Sequence, residues 1–447
     1  MFNYKFSNLA AKIEYTSTLH ILHNSLSRAK MEKLTSEIES FGQMLEQISE
    51  VPKDELFLGF ETPDFEDVVS IKIPKTSRCS LTISQKGDGK SYLMWHIIND
   101  EWQRKTGWYV LRIDPQQEYL WSDRPVNTEK ELKLLEKAGK KTVAPKIFFC
   151  SPEFAQLPYT RGKQARIGLN NLKNLLNTSE QVAVLADLLN ISENDASYPS
   201  LFSIVKQGIP EKYSELKKLI QNELLALKKT AEGKTISTKF YSAIERLFLQ
   251  NILTDNENKT VDFASELATW GNIVIEVSRD IIKDKYSQIF VAQALKEIYA
   301  SRMLYQVSRG KEGVVNMPVI VSIDEADLLV PRNRQTFCAE VITQLFTKGR
   351  KAGFSVNLIT QDPTLLDNTA IKQVDWLFTT RVRDAQIAEL VKNWTGADSR
   401  HIYDLFSNMD ADRSRHPRQW GLLYDGTDVK LFYPPYPSAQ IAKEQKF

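Results

Sequence analysis

The sequence predicts an α/β fold in which a largely parallel sheet, joined by crossover helices, carries a phosphate-binding loop. Three observations predict it. From about Val69 short β-branched or aromatic runs alternate with helical patterns. Several of those runs are apolar on both faces, as strands covered by helices on each side must be. The stretch SQKGDGKSYL, Ser84 to Leu93, then places Gly-Lys-Ser between a strand and a helix, where it has a physical meaning.

The elements follow in chain order. Met31, Leu34, Ile38, Phe41, Leu45 and Ile48 recur at steps of three and four, a helical apolar seam. At about two and a half heptads it is too short for a coiled coil, so packing on the protein's own body is expected, with a partner-docking helix as the alternative. Glu50 to Val69 is acidic with two prolines and reads as an irregular linker. CSLTIS, WYVLRID, KIFFC, NIVIEVS, PVIVSID, SVNLIT and DWLFTTR are the expected strands. Between Ser151 and about Asp262 no strand pattern is evident, while SEQVAVLADLLN and KYSELKKLIQNELLALKKTA read as amphipathic helices. QWGLLYDGTDVKLFYPPYP reads as a hairpin around Asp425-Gly426 and a proline-rich tail. The expected organisation is a helical N-terminal region with acidic linker (1–68), a core in two parts (69–150 and 263–433), a helical insertion (151–262) and a tail (434–447).

Bulk composition restricts partners without naming one. With 58 Lys+Arg against 56 Asp+Glu in 447 residues, a polyanion must be held by local basic loops and not by the overall field. Cys79, Cys150 and Cys338 lie far apart without metal-ligand spacing and read as buried small hydrophobes in a reducing compartment. No apolar run approaches the ~18 residues of a membrane span, and MFNYKFSNLAAK lacks the apolar centre of a signal peptide. A cytoplasmic protein without membrane insertion is expected.

In the phosphate loop, the backbone N–H groups of Gly87, Asp88 and Gly89 would wrap the phosphates of ATP. Lys90 would reach the β and γ oxygens, Ser91 would bind Mg2+, and Tyr92 adjoins them. Ser84 replaces the opening glycine, a substitution that strains the loop only if the position needs positive φ. A second strand, PVIVSIDEADLL, ends in Asp324 and Glu325. Taken alone, such a pair after a strand is best read as a helix cap; beside a phosphate loop it reads as the magnesium partner and the group that polarises the attacking water.

Four further segments make the pattern resemble the HerA and FtsK group of hexameric DNA-translocating ATPases, HerA more closely. VLRIDPQQEYL resembles the Asp-Pro-x-Gly-Glu-Tyr segment of HerA, with Gln117 in the glycine position. NIVIEVSRD and QIFVAQALKEIYASRM resemble the strand and helix before the Walker B region, and TKGRKAGFSVNLITQDPTLLDNTAIKQVDWLFTTRV matches most strongly. These segments span roughly 73–126 and 262–437, whereas the first ~70 residues show no sign of the HerA β-barrel.

The resemblance implies a RecA-like P-loop NTPase core working as a hexameric ring on double-stranded DNA. It implies that Gln361 senses the γ-phosphate or orients water, and that Arg350 reaches a neighbour's nucleotide, with Arg381 and Arg383 as rivals. Glu118 would approach the nucleotide or a neighbouring subunit or pair with a surface lysine, and Asp114 reads as structural. Lys283, Lys285, Arg332 and Arg334 follow core strands and are candidates for phosphate contacts in a pore, against a plain reading as solvated surface charges. Two other functions stay open: a nucleotide-gated ring that assembles or regulates an effector such as a nuclease, and, more weakly, a protein-remodelling ATPase.

Overall fold

In the computed structural model the described residues are 52–61, 67–85, 89–126, 145–155 and 421–435, most of 157–380, and a few positions between 127 and 144 and after 435. The N-terminal seam and the stretches 86–88, 278–284, 333–335 and 381–420 lie outside them.

All seven runs expected as strands form one sheet. They are β3 (Cys79–Ile83), β4 (Tyr109–Asp114), β5 (Phe148–Pro152), β9 (Asn272–Glu276), β10 (Val319–Ile323), β11 (Phe354–Thr360) and β12 (Trp376–Thr379). With the short β6 (Lys163–Ala165) and the terminal hairpin β13 (Gly421–Tyr424) and β14 (Val429–Phe432), the order is β14-β13-β12-β3-β11-β10-β4-β9-β5-β6. Every neighbouring pair from β12 to β6 is parallel. Five of these strands, β3, β9, β10, β11 and β12, are buried at every position, as the two-faced apolar runs require. The chain leaves β3 for β4 on one side, returns through β10 and β11, and continues to β12 on the other side. The C-terminal ends of β3, β11, β10 and β4 therefore flank a topological switch, where an open α/β sheet binds ligands.

The segment between the two halves is mainly helical: Leu169–Leu175, Thr178–Leu189, Tyr198–Lys206, Tyr213–Leu227 and Ala231–Leu249. Helix Thr178–Leu189 opens on a capping box between Asn177 and Glu180. Three short strands depart from the strand-free expectation: β6 extends the sheet beside β5, and β7 (Ile167–Gly168) pairs with β8 (Leu253–Thr254) to close the base of the insertion. Leu185, Leu188, Leu201 and Leu216 of the insertion share one apolar cluster with Leu81, Ile275 and Val321 of the sheet.

The acidic linker reading is corrected. β1 (Glu55–Phe60) and β2 (Val68–Lys72) form an antiparallel hairpin. Leu56, Leu58, Val69 and Ile71 pack on Leu93, Ile97 and Ile98 of the helix after the phosphate loop, and the run ELFLGF is buried at five of six positions. The prolines and acids that flank that run in the sequence masked it. At Gly59 the hairpin passes so close to the terminal segment that a Cβ would meet Tyr433 O at 2.2 Å, and Phe60 and Tyr433 form a bridge. His96 Nε2 lies 3.1 Å from Leu58 O, and Glu101 Oε2 accepts from Phe57 N at 3.2 Å. Two polar ties and an apolar face thus fasten the hairpin over the helix that carries Lys90.

Candidate nucleotide site

Strand β3 ends at Ile83, and Ser84 prolongs its pairing, donating its N–H to Thr360 O at 3.2 Å. Ser84 is fully buried and is not among the residues with positive φ. Its hydroxyl accepts from Thr380 Oγ1 at 2.6 Å, so the serine in the opening glycine's place is unstrained and ties the loop to the end of β12. Gly87 and Asp88 lie outside the described residues. Gly89, at φ 74, is the left-handed cap from which helix Lys90–Trp95 starts, a conformation that disfavours any side chain. Ser91 is buried next to Lys90, while the Tyr92 ring packs against Val126 and Leu135.

The Lys90 ammonium is 5 % exposed and is held by two carboxylates, Asp324 Oδ1 at 2.8 Å and Glu325 Oε1 at 3.1 Å. Burial alone would lower its pKa; the carboxylates of Asp324, Glu118 and Glu325 outweigh burial and hold it above the ordinary lysine value. Burial pushes the Asp324 carboxyl up, opposed by the same ammonium. Glu118 is pushed up to about 8 by burial and then by Asp324, with Lys90 opposing. Glu118 thus feels the charges of this cluster, and its Oε2 is buried without a hydrogen-bond partner among the described residues.

Glu325 is the centre of the arrangement. It sits at φ 47, a strained conformation for a non-glycine residue. Its Oε1 accepts from Gln361 Nε2 at 2.7 Å and from Gln116 Nε2 as well as from Lys90. Gln361 follows β11, which lies between β3 and β10, so the sheet order brings it to both motifs. Sequence reasoning passed over Gln116. It follows β4, the strand on the other side of β10, and only that adjacency across 209 residues could have signalled it.

The turn after β4 is built rigidly. Asp114 Oδ1 accepts from the backbone of Gln116 at 3.3 Å and Glu118 at 3.1 Å, and Oδ2 from Tyr119 at 2.8 Å. Gln117, in the glycine position of the HerA-like segment, adopts φ 56. Two residues before Asp114, the fully buried Arg112 lies 5.0 Å from the Trp95 ring and 4.5 Å from the Tyr119 ring, and its guanidinium donates to Asn99. Arg112 joins β4 to the phosphate-loop helix.

The donor set fits magnesium. Asp324 Oδ2 is buried without a hydrogen-bond partner, and Ser91 offers a hydroxyl, both hard oxygen donors of the kind that hold this ion together with waters and phosphate oxygens. Among the described residues no group of three or more His, Cys, Asp or Glu side chains is placed to hold a metal ion by itself.

The structure does not bring Arg350 to this edge. Helix Phe337–Ala352 runs back across the sheet, and Arg350 in its last turn lies at the N-terminal ends of the strands. There Nη2 pairs with Asp375 Oδ2 at 2.9 Å and donates to Gln373 O at 2.6 Å. Asp375 also accepts from Cys79 N at 2.8 Å, so this ion pair clips the start of β12 to the start of β3. Lys285 begins helix Lys285–Val307, with Nζ donating to Asn190 Oδ1 at 3.2 Å, and Arg332 is exposed after β10. Lys283, Arg334, Arg381 and Arg383 lie outside the described residues.

No family model matches the sequence, and no curated protein matches it. Solved structures do match. VirB4 of Thermoanaerobacter pseudethanolicus superposes with a TM-score of 0.51 at 14 % identity, covering 87 % of this chain and 97 % of that one. The bacterial conjugative coupling protein TrwBdeltaN70, in its unbound form, gives 0.51 at 14 % identity, covering 91 % and 93 %. The chain shares its fold with these two structures. Within that fold the cluster assembled above lies at the C-terminal edge of β3, β11, β10 and β4, and among the described residues no helix is long and apolar enough to cross a membrane.

Proposed function

We propose that this protein hydrolyses ATP and, assembled as a hexameric ring, moves double-stranded DNA through its centre. The observation that carries the hydrolase reading is the grip of Asp324 and Glu325 on Lys90 at the start of the phosphate-loop helix, with Gln361 on the same glutamate. Lys90 exchanges its carboxylate partners for the β and γ oxygens of ATP, a trade of one set of anionic oxygens for another. Glu325 takes up the proton of the water that attacks the γ-phosphorus as the bond to the β-phosphate oxygen breaks, and Gln361 orients that water. Magnesium, when bound through Ser91 and Asp324, neutralises charge on the phosphate oxygens.

An arginine from a neighbouring subunit completes the charge stabilisation. Arg381 or Arg383, just past β12, suits that role better than Arg350, whose guanidinium is engaged on the opposite edge. The DNA reading rests on the HerA-like segments and on Lys283, Lys285, Arg332 and Arg334 after two core strands, where charges repeated around a ring would grip phosphates without reading sequence.

ATP turnover by the wild-type protein with and without duplex DNA, over a salt series, tests the proposal. Turnover should rise several-fold with duplexes of unrelated sequence, binding should weaken with salt, and a protein roadblock on the duplex should be displaced in one direction. Hydrolysis with neither DNA stimulation nor salt-sensitive binding would replace the pump with a nucleotide-gated ring that regulates a partner effector.

A further inference from the structure

We infer that Gln116 is a positioning residue for hydrolysis, acting through Glu325; the inference rests on the ATPase reading of this site and names a component that the motifs do not contain. Three donors converge on Glu325 Oε1: Lys90 Nζ, Gln361 Nε2 and Gln116 Nε2. They come from three directions, the phosphate-loop helix, the end of β11 and the turn after β4, so they fix the carboxylate in position as well as satisfying it. In the proposed mechanism Lys90 also binds the phosphates and Gln361 also orients the attacking water, which leaves Gln116 to Glu325. When Lys90 turns to the phosphates, the two amides still donate to this oxygen, one from each flank of β10.

The support behind Gln116 is consistent with such a task. Its backbone N–H donates to Asp114, whose carboxylate also accepts from the N–H groups of Glu118 and Tyr119, and Gln117 between them takes a left-handed conformation. A glutamine held this firmly delivers its amide to one place. Glu325 needs the help, because its own backbone is in a strained conformation and a buried carboxylate without fixed donors would swing. A displacement of about an ångström at a catalytic base suffices to lower turnover on the order of a hundredfold.

Gln116→Ala tests the assignment, measured beside the wild type and in a Glu325→Gln background. The expected result is a kcat at least about tenfold below wild type, with the KM for ATP and the nucleotide Kd changed less than about threefold. In the Glu325→Gln background, single-turnover hydrolysis should not fall further on adding Gln116→Ala, because a residue that acts through Glu325 has nothing left to position. Nucleotide binding shows that each variant is folded. Should Gln116→Ala not fold, Gln116→Glu, which sets a carboxyl against Glu325, must show the same kcat loss and the same non-additivity. An unchanged or raised kcat in a variant that binds ATP normally overturns the inference, as does an equal loss with and without Glu325. Absence of turnover in the wild type would instead sink the ATPase reading, so the two failures are distinguishable.

Discussion

Ion pairs tie this sheet together at both edges, and those of Lys90 and Arg350 differ in what surrounds the cation. At the C-terminal edge Lys90 is buried among carboxylates, 5 % exposed against 1 % for Asp324. At the N-terminal edge Arg350 is 33 % exposed and meets Asp375 at 19 %. The outer pair is a fastener between strand starts, and Asp375 keeps a backbone partner in Cys79 even without it. The inner cation is buried and faces Asp324, Glu118 and Glu325, and under the proposed function it exchanges these carboxylates for the anionic oxygens of a nucleotide. The two basic side chains differ in surroundings because the sheet puts one at each end.

The largest effect that sharpens this contrast is expected from Lys90→Ala. Removing one partner of a buried ion pair costs about 3 kcal/mol or more, and hydrolysis should fall at least about hundredfold, with ATP no longer raising the Tm. Calorimetry with and without Mg-ATP, beside a turnover assay, measures both. Retained turnover would remove Lys90 from the site.

An intermediate effect is expected from Glu276, fully buried at the C-terminal end of β9. Burial, and then the Asp114 carboxylate, push it up to about 8, while Arg161 opposes. A folded-state pKa above the unfolded value means that its favourable contribution is whole below about pH 4.5 and is lost as pH rises through about 8. Glu276→Gln should therefore raise the Tm by a few degrees at pH 8.5 and by little at pH 5. An equal shift at both values would mean that the side chain titrates normally.

The smallest effect is expected at the outer edge. Arg350→Ala should lower stability by about 1 kcal/mol and leave turnover within about threefold of wild type. A loss of ~10³ or more would instead make Arg350 the arginine that acts across the ring, and the contrast between the edges would fail.

The same contrast explains what could be read from the letters. The seven core strands were legible because a strand covered on both faces is mainly apolar, and β9, β10 and β11, buried at every position, are. Lys90, Asp324, Glu325 and Gln361 were legible because each stands beside a local pattern that only makes sense with the others. Gln116 was not, because its importance comes from β4 lying against β10, a pairing set by topology. The place of Arg350 was hidden for a related reason: a Gly-Arg-Lys turn does not reveal that its helix has run the depth of the sheet to the far edge. The β1–β2 hairpin was obscured by composition, since the Asp, Glu and Pro around it in the sequence outweighed the buried run ELFLGF.

The central claim is that the carboxylates holding Lys90 mark a hydrolytic site and not a fixed structural pair. Steady-state Mg-ATP hydrolysis by the wild type and by Glu325→Gln, with ATP affinity measured for both, tests it most directly. Turnover in the wild type, with similar affinity but at least about hundredfold slower turnover in the variant, is the predicted result. Equal turnover in the two proteins, or a wild type that binds ATP and never hydrolyses it, would contradict the claim.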